Sequence, residues 1–122
     1  MGVSMKEKLF DSEVKILEII WEKSPISAKE ISLVAAETIG WNKNTTYTVI
    51  GKLERKGFIE RQDPGFICIP LVSQNQMQKV EVASLVNKLF GGSRKALFSA
   101  LLEEEPLSDE EVEALRKLIE NR

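Results

Sequence analysis

The sequence predicts a mainly α fold carrying a small β-hairpin wing, and three observations predict it. Apolar residues recur at spacings of three and four through most of the 122-residue chain. That period breaks at one place, where two short runs, Phe58-Ile59-Glu60-Arg61-Gln62 and Phe66-Ile67-Cys68-Ile69, flank Asp63-Pro64-Gly65. Proline followed by glycine between two such runs signals a turn and a hairpin. Three helical segments precede this hairpin, and three follow it.

The first helix is expected from Ser12 to Lys23, with Asp11 or Ser12 as its cap and Val14, Ile16, Leu17, Ile20 and Trp21 on its apolar face. Ser24-Pro25 ends it, because the residue before proline is pushed out of the α region. Ser27-Ala28-Lys29-Glu30 has the form of a capping box for the second helix, and Ile31, Val34 and Ala35 form its buried stripe. That helix stops near Ile39-Gly40, where glycine can take the left-handed conformation. Asn42 caps a third helix from Lys43 to about Lys56, with Thr46, Val49, Ile50 and Leu53 facing inward and Gly57 closing it. After Pro70, Ser73 caps a fourth helix reaching about Phe90, and Gly91-Gly92 breaks it. Ser93 opens a fifth, with Ala96, Leu97, Ala100 and Leu101 on one side. Pro106 interrupts, and Ser108-x-x-Glu111 caps a sixth with the stripe Val112, Leu115, Leu118, Ile119.

Composition narrows the function. Formal net charge is −2, which tells against a non-specific nucleic-acid coat protein but leaves a sequence-specific binder open, since local charge matters more. Residues 1–72 carry 10 Lys/Arg and 10 Asp/Glu, and residues 73–122 carry 7 and 9. The window from Asn42 to Arg61 holds Lys43, Lys52, Arg55, Lys56 and Arg61 against Glu54 and Glu60, the most basic stretch in the chain. One cysteine, Cys68, and no histidine exclude an intrachain disulfide and a Cys/His zinc site. No metal or cofactor is expected. Without histidine, a glycine-rich phosphate loop or a nucleophile beside a base, no catalytic constellation is expected either. No apolar run approaches the roughly 20 residues of a membrane span, and the opening MGVSMKEKLF lacks a signal-peptide core, so the chain reads as cytoplasmic.

Three helices and then a hairpin is the element order of a winged helix-turn-helix, with Gly40-Trp41 in the turn. In that geometry the outer side chains of the third helix meet base edges in the major groove, and the wing touches backbone or minor groove. The expected division is 1–72 for the DNA-binding domain and 73–122 for a helical dimerisation arm. The arm is too short for a well-buried core of its own, so its apolar positions (Met77, Val80, Val86, Leu89, Leu97, Leu101, Val112, Leu115 and Leu118) are expected at a homodimer interface.

The expected DNA contacts are Lys43, Asn44, Thr45, Tyr47, Thr48, Lys52, Arg55 and Arg61. Thr45 and Thr48 read as base-edge, thymine-methyl or phosphate contacts, or else as solvent-facing threonines with back-bonded hydroxyls. Asn44 reaches adenine or supports the cap. Tyr47 reads as a phosphate or thymine contact. Lys43, Lys52 and Arg55 read as phosphate clamps, or as a solvated charge run. Trp21 is expected in the core and Trp41 against the turn. Gly51 costs about 1 kcal/mol in mid-helix relative to alanine, and reads either as room for the DNA backbone or as drift. The competing class is a winged-helix protein-interaction module without DNA readout, since fold does not fix function. The polar, aromatic and basic surface from Asn44 to Lys52 favours DNA over an apolar docking patch.

The segments EVKILEIIWEKSPISAKEIS, GWNKNTTYTVIGKLERKGFIER and PLVS, with the tail LFGGSRKALFSALLEEEPLSDEEVEALRKLI, resemble the penicillinase-repressor family over about residues 8 to 121. The resemblance implies a homodimeric winged-helix repressor on a palindromic, double-stranded operator, tied to β-lactam resistance or metal response. In the β-lactam branch a membrane sensor protease signals, and the repressor is cleaved in its dimerisation region. The matching position is Ala100-Leu101, where inducible members carry Asn-Phe. In the copper branch C-terminal Cys-x-Cys pairs bind metal, and this sequence has none. The wing is about two residues shorter than the family's, and an arginine common after its glycine is Phe66 here.

Overall fold

The computed structural model describes residues 8–121. Most of the opening segment read for targeting signals, residues 1–7, lies outside them. The elements run α1 (Asp11–Lys23), β1 (Ile26–Ser27), α2 (Ala28–Thr38), α3 (Lys43–Arg55), β2 (Ile59–Gln62), β3 (Ile67–Pro70), α4 (Gln74–Leu89), α5 (Arg94–Glu104) and α6 (Asp109–Glu120). All six helices expected from sequence are present.

The local chemistry explains most of the boundaries, with two corrections. Helix α1 is capped neither by Asp11 nor by Ser12. Phe10 is its N-cap, and the Glu13 carboxylate accepts the Phe10 N–H at 2.8 Å. At α2, Ser27 Oγ accepts the Glu30 N–H at 3.1 Å as expected, but the Glu30 carboxylate takes the Ser27 hydroxyl proton instead of its backbone N–H. A reciprocal box does form at α4, between Ser73 and Gln76, and at α6, between Ser108 and Glu111. Ser93 caps α5 through the Ala96 N–H. Gly40 at φ +81° and Gly57 at φ +82° follow α2 and α3 in the left-handed conformation that side chains disfavour.

The sheet has three strands in the order β1-β3-β2, both pairs antiparallel. The hairpin read from sequence is β2-β3, with Arg61 opposite Cys68. The third strand, β1, pairs Ile26 with Cys68 and Ser27 with Ile67. Two residues are too few to show strand alternation, so β1 left no periodic trace in the sequence.

The chain divides into two compact units, the first ending at Val80 and the second comprising Glu81–Arg122. The division falls inside α4, beyond the 72/73 boundary read from sequence. The reason lies in Met77, whose side chain sits in the core of the first unit beside Val72. That core joins Ile16, Leu17 and Ile20 of α1, Ile31 and Ala35 of α2, Val49, Ile50 and Leu53 of α3, and Phe58, Ile59 and Cys68 of the sheet. Trp21 packs against it and donates its indole N–H to the Val72 carbonyl at 2.8 Å, tying α1 to the chain after the wing. In the second unit, α5 and α6 contain no buried residue, and Leu89, Leu101, Leu118 and Ile119 are each more than half exposed. Among the described residues, no helix is long and apolar enough to cross a membrane.

Candidate nucleic-acid interface

Helix α3 positions the candidate site, and the division of its faces is sharp. Thr46, Val49, Ile50 and Leu53 are buried, as their spacing predicts. Asn42 accepts the Thr45 N–H at 2.8 Å and so starts the helix at Lys43. With that inner face fixed in the core, Lys43, Asn44, Thr45, Thr48, Lys52 and Arg55 are carried on the exposed side. The side chains of Asn44, Thr45, Lys52 and Arg55 form no hydrogen bond or ion pair with a described residue. Since Asn42 is the cap, the Asn44 amide has no capping role.

Thr48 donates its hydroxyl proton to the Asn44 carbonyl at 2.9 Å, the back-bonded arrangement weighed from sequence. Its methyl and the hydroxyl lone pairs remain on the exposed face. Such a group can meet a thymine methyl or accept from a base amino group, but cannot donate. Thr46 is back-bonded in the same way, to Asn42, and is buried.

Tyr47 is half-buried, packed against the core as well as facing outward. Its ring meets Phe66 of the wing edge to face, 6.0 Å between centroids at 74°. The Lys43 ammonium lies 5.6 Å from the Tyr47 centroid. Arg61 is exposed on β2 and donates through Nε to both Asp63 oxygens at 3.1 Å. Gly51 is half-buried beneath Arg55, and a Cβ there would stand 3.2 Å from Arg55 Nη1.

One cation of the basic window is not available to a ligand. Lys56 Nζ lies 2.8 Å from Glu13 Oε1, donates to the Lys8 carbonyl at 2.9 Å, and stands 4.5 Å above the Phe10 ring. It straps the C-terminal end of α3 to the start of α1. Glu13 is 1 % exposed, and its second oxygen has no partner among the described residues. Sequence reasoning missed this pair because 43 residues separate its members. The local excess of positive charge at α3 is smaller by that one neutralised lysine. Trp41, near the turn, is half-buried against the core. Among the described residues no group of His, Cys, Asp and Glu could hold a metal ion.

A helix seated on two others, its polar face exposed beside a hairpin wing in a three-stranded sheet, defines a winged helix-turn-helix protein. The solution structure of the DNA-binding domain of the repressor BlaI has this fold, matching with a TM-score of 0.52 and 24% identity over 61% of this chain and 90% of that one. The family model of the penicillinase repressor matches residues 9–121, and the chain belongs to that family, one of transcriptional repressors and not of enzymes. It is 25% identical to the penicillinase repressor of Bacillus licheniformis over 93% of this chain and 90% of that protein. It is 28% identical to the methicillin resistance regulatory protein MecI of Mammaliicoccus sciuri, over 94% and 95%.

Proposed function

We propose that this repressor acts in the cytoplasm as a homodimer, reading a palindromic double-stranded operator through α3. The observation that carries the reading is the exposed face of α3. Asn44, Thr45 and Thr48 supply base-edge chemistry, and Lys43, Lys52 and Arg55 supply phosphate chemistry, on a helix whose other face is locked in the core. The family membership supports the same reading. A sensor protease or another induction pathway would release this repressor, and Ala100-Leu101 in place of the Asn-Phe of inducible members speaks against cleavage at that point.

The homodimer is supported by the apolar surface of that unit. Leu102, Pro106, Leu107, Val112, Leu115 and Ile119 line an open groove of about 600 Å³. Of the positions assigned to the interface from sequence, Leu89, Leu101, Val112 and Leu118 are exposed, and Val80, Leu97 and Leu115 are half-buried. Met77 and Val86 are covered within the chain, at 4% and 5% exposure, and leave the interface set for that reason.

Footprinting the purified protein on genomic DNA identifies the operator and tests the reading. On that operator Thr48→Ala should weaken binding by about 1–3 kcal/mol, with little change on random DNA. Lys52→Ala should weaken both and flatten the salt dependence by about one phosphate's worth of released counterion. Equal loss on both DNAs for Thr48→Ala would remove its base-reading role. Failure to protect any site would leave a protein-interaction module.

A further inference from the structure

We infer that Phe66 is a positioning residue, whose ring docks the wing onto α3 and holds the Arg61 guanidinium in place for a DNA phosphate; this rests on the DNA-binding reading above. Among the described residues Phe66 is the one non-glycine with positive φ, at +50°. A bulky side chain seldom occupies that region, and does so where its surroundings over-determine it.

Those surroundings come from four parts of the first unit. The Phe66 N–H donates to Asp63 Oδ1 at 3.3 Å, within the hairpin turn. The Phe66 carbonyl accepts the N–H of Ala28, the first residue of α2, at 2.9 Å. The ring meets Tyr47 of α3 edge to face. Arg61 Cζ, from β2, lies 3.7 Å from the ring centroid. A single residue thus joins recognition helix and wing strand through its ring, and the turn and α2 through its backbone.

The consequence falls on Arg61. Its Nε edge is turned to Asp63, and no described residue accepts from its Nη groups. Stacking on an aromatic ring fixes the plane of a guanidinium, and the open Nη fork is the part that matches a phosphate. At the other end of the same row, Lys43 stands over Tyr47. The row Lys43-Tyr47-Phe66-Arg61 therefore sets one cation on α3 and one on the wing, with two packed rings between them. Its ligand chemistry is the sugar-phosphate backbone beside the groove that α3 enters.

The test compares Phe66→Gly with Arg61→Ala by measuring operator affinity across a salt series. Glycine removes the ring and relieves the positive φ, so the fold has no backbone reason to fail. Phe66→Asn, which also tolerates that region, is measured in parallel. Both should make the negative slope of log affinity against log salt shallower by about 0.9, as Arg61→Ala should, because one phosphate contact is lost. The double variant Arg61→Ala with Phe66→Gly should lose no more than either alone, and Phe66→Tyr should restore the wild-type slope. Wild-type slope in Phe66→Gly, additive losses, or unfolding of both Phe66→Gly and Phe66→Asn by circular dichroism would each overturn the assignment. A wild-type protein that footprints no operator would instead overturn the DNA-binding reading itself.

Discussion

At the scale of single residues, the sequence showed which side chains leave the core of α3 but not what they do once outside. The stripe Thr46, Val49, Ile50, Leu53 follows from helical spacing alone, and the exposed set is its complement. Spacing carries no information about a partner 43 residues away, so the Glu13–Lys56 pair was invisible and Lys56 counted as a surface charge. Nor does it show that Asp63 and Phe66 engage Arg61. Cys68 is a second case. It is one residue in a strand pattern, and only the sheet makes it fully buried between β1 and β2. Burial pushes its thiol up to about 11, with Glu54 adding to the effect and Arg61 opposing it. At pH 8 such a thiol is thiolate to about one part in a thousand, against about a quarter for a free cysteine. Iodoacetamide should therefore label native protein at least about a hundredfold more slowly than urea-unfolded protein at that pH. The folded state also holds this proton more tightly than the unfolded state. Its contribution to stability is complete below about pH 8.5 and declines as pH rises toward 11. Rapid labelling of folded protein would show that β3 opens or that the thiol is accessible.

At the scale of elements, caps were the most legible feature and short strands the least. Four serine caps read from sequence (Ser27, Ser73, Ser93 and Ser108) accept the N–H three residues on. They are legible because a cap is a contact within one turn of chain. Strand β1 is the opposite case, since its pairing with β3 is entirely long-range. The Ser108–Glu111 box makes a pH-dependent prediction. The Ser108 N–H, and secondarily its hydroxyl, hold the Glu111 carboxyl below its ordinary value. A carboxylate with a depressed value in the folded state stabilises above its unfolded pKa of about 4.3, and that contribution is lost as pH falls through the folded value. The N-terminal cap of α6 should therefore loosen in acid. Ser108→Ala removes the hydroxyl contacts and leaves the backbone one, so Glu111 should move partway back up. Carboxyl-carbon NMR titration of the two proteins checks this, and an unchanged Glu111 would mean that the hydroxyl does not support the carboxylate.

At the scale of the whole molecule, a filled core and an exposed apolar surface lie on one chain, and under the proposed homodimer the second is where the partner packs. The first unit buries large residues from three helices and a sheet, while α5 and α6 bury none. Leu101 of α5 and Leu118 and Ile119 of α6 are each more than half exposed, and large contiguous apolar patches on a surface mark interaction sites. Sequence showed the stripes on α5 and α6 but could not apportion α4, where Met77 turned inward to the first unit. A two-fold partner would cover the groove lined by Leu102, Val112, Leu115 and Ile119, and would set the distance between two α3 helices. Replacing Leu101 and Leu115 by aspartate places two charges against that surface, which is strongly unfavourable where the partner would exclude water. The double variant should sediment as a monomer and lose most operator affinity, because a single recognition helix forgoes the second half-site. The first unit shares none of these residues, so its thermal unfolding should be unchanged. A dimer persisting in analytical ultracentrifugation would place the interface on other residues and separate operator spacing from this face of the second unit.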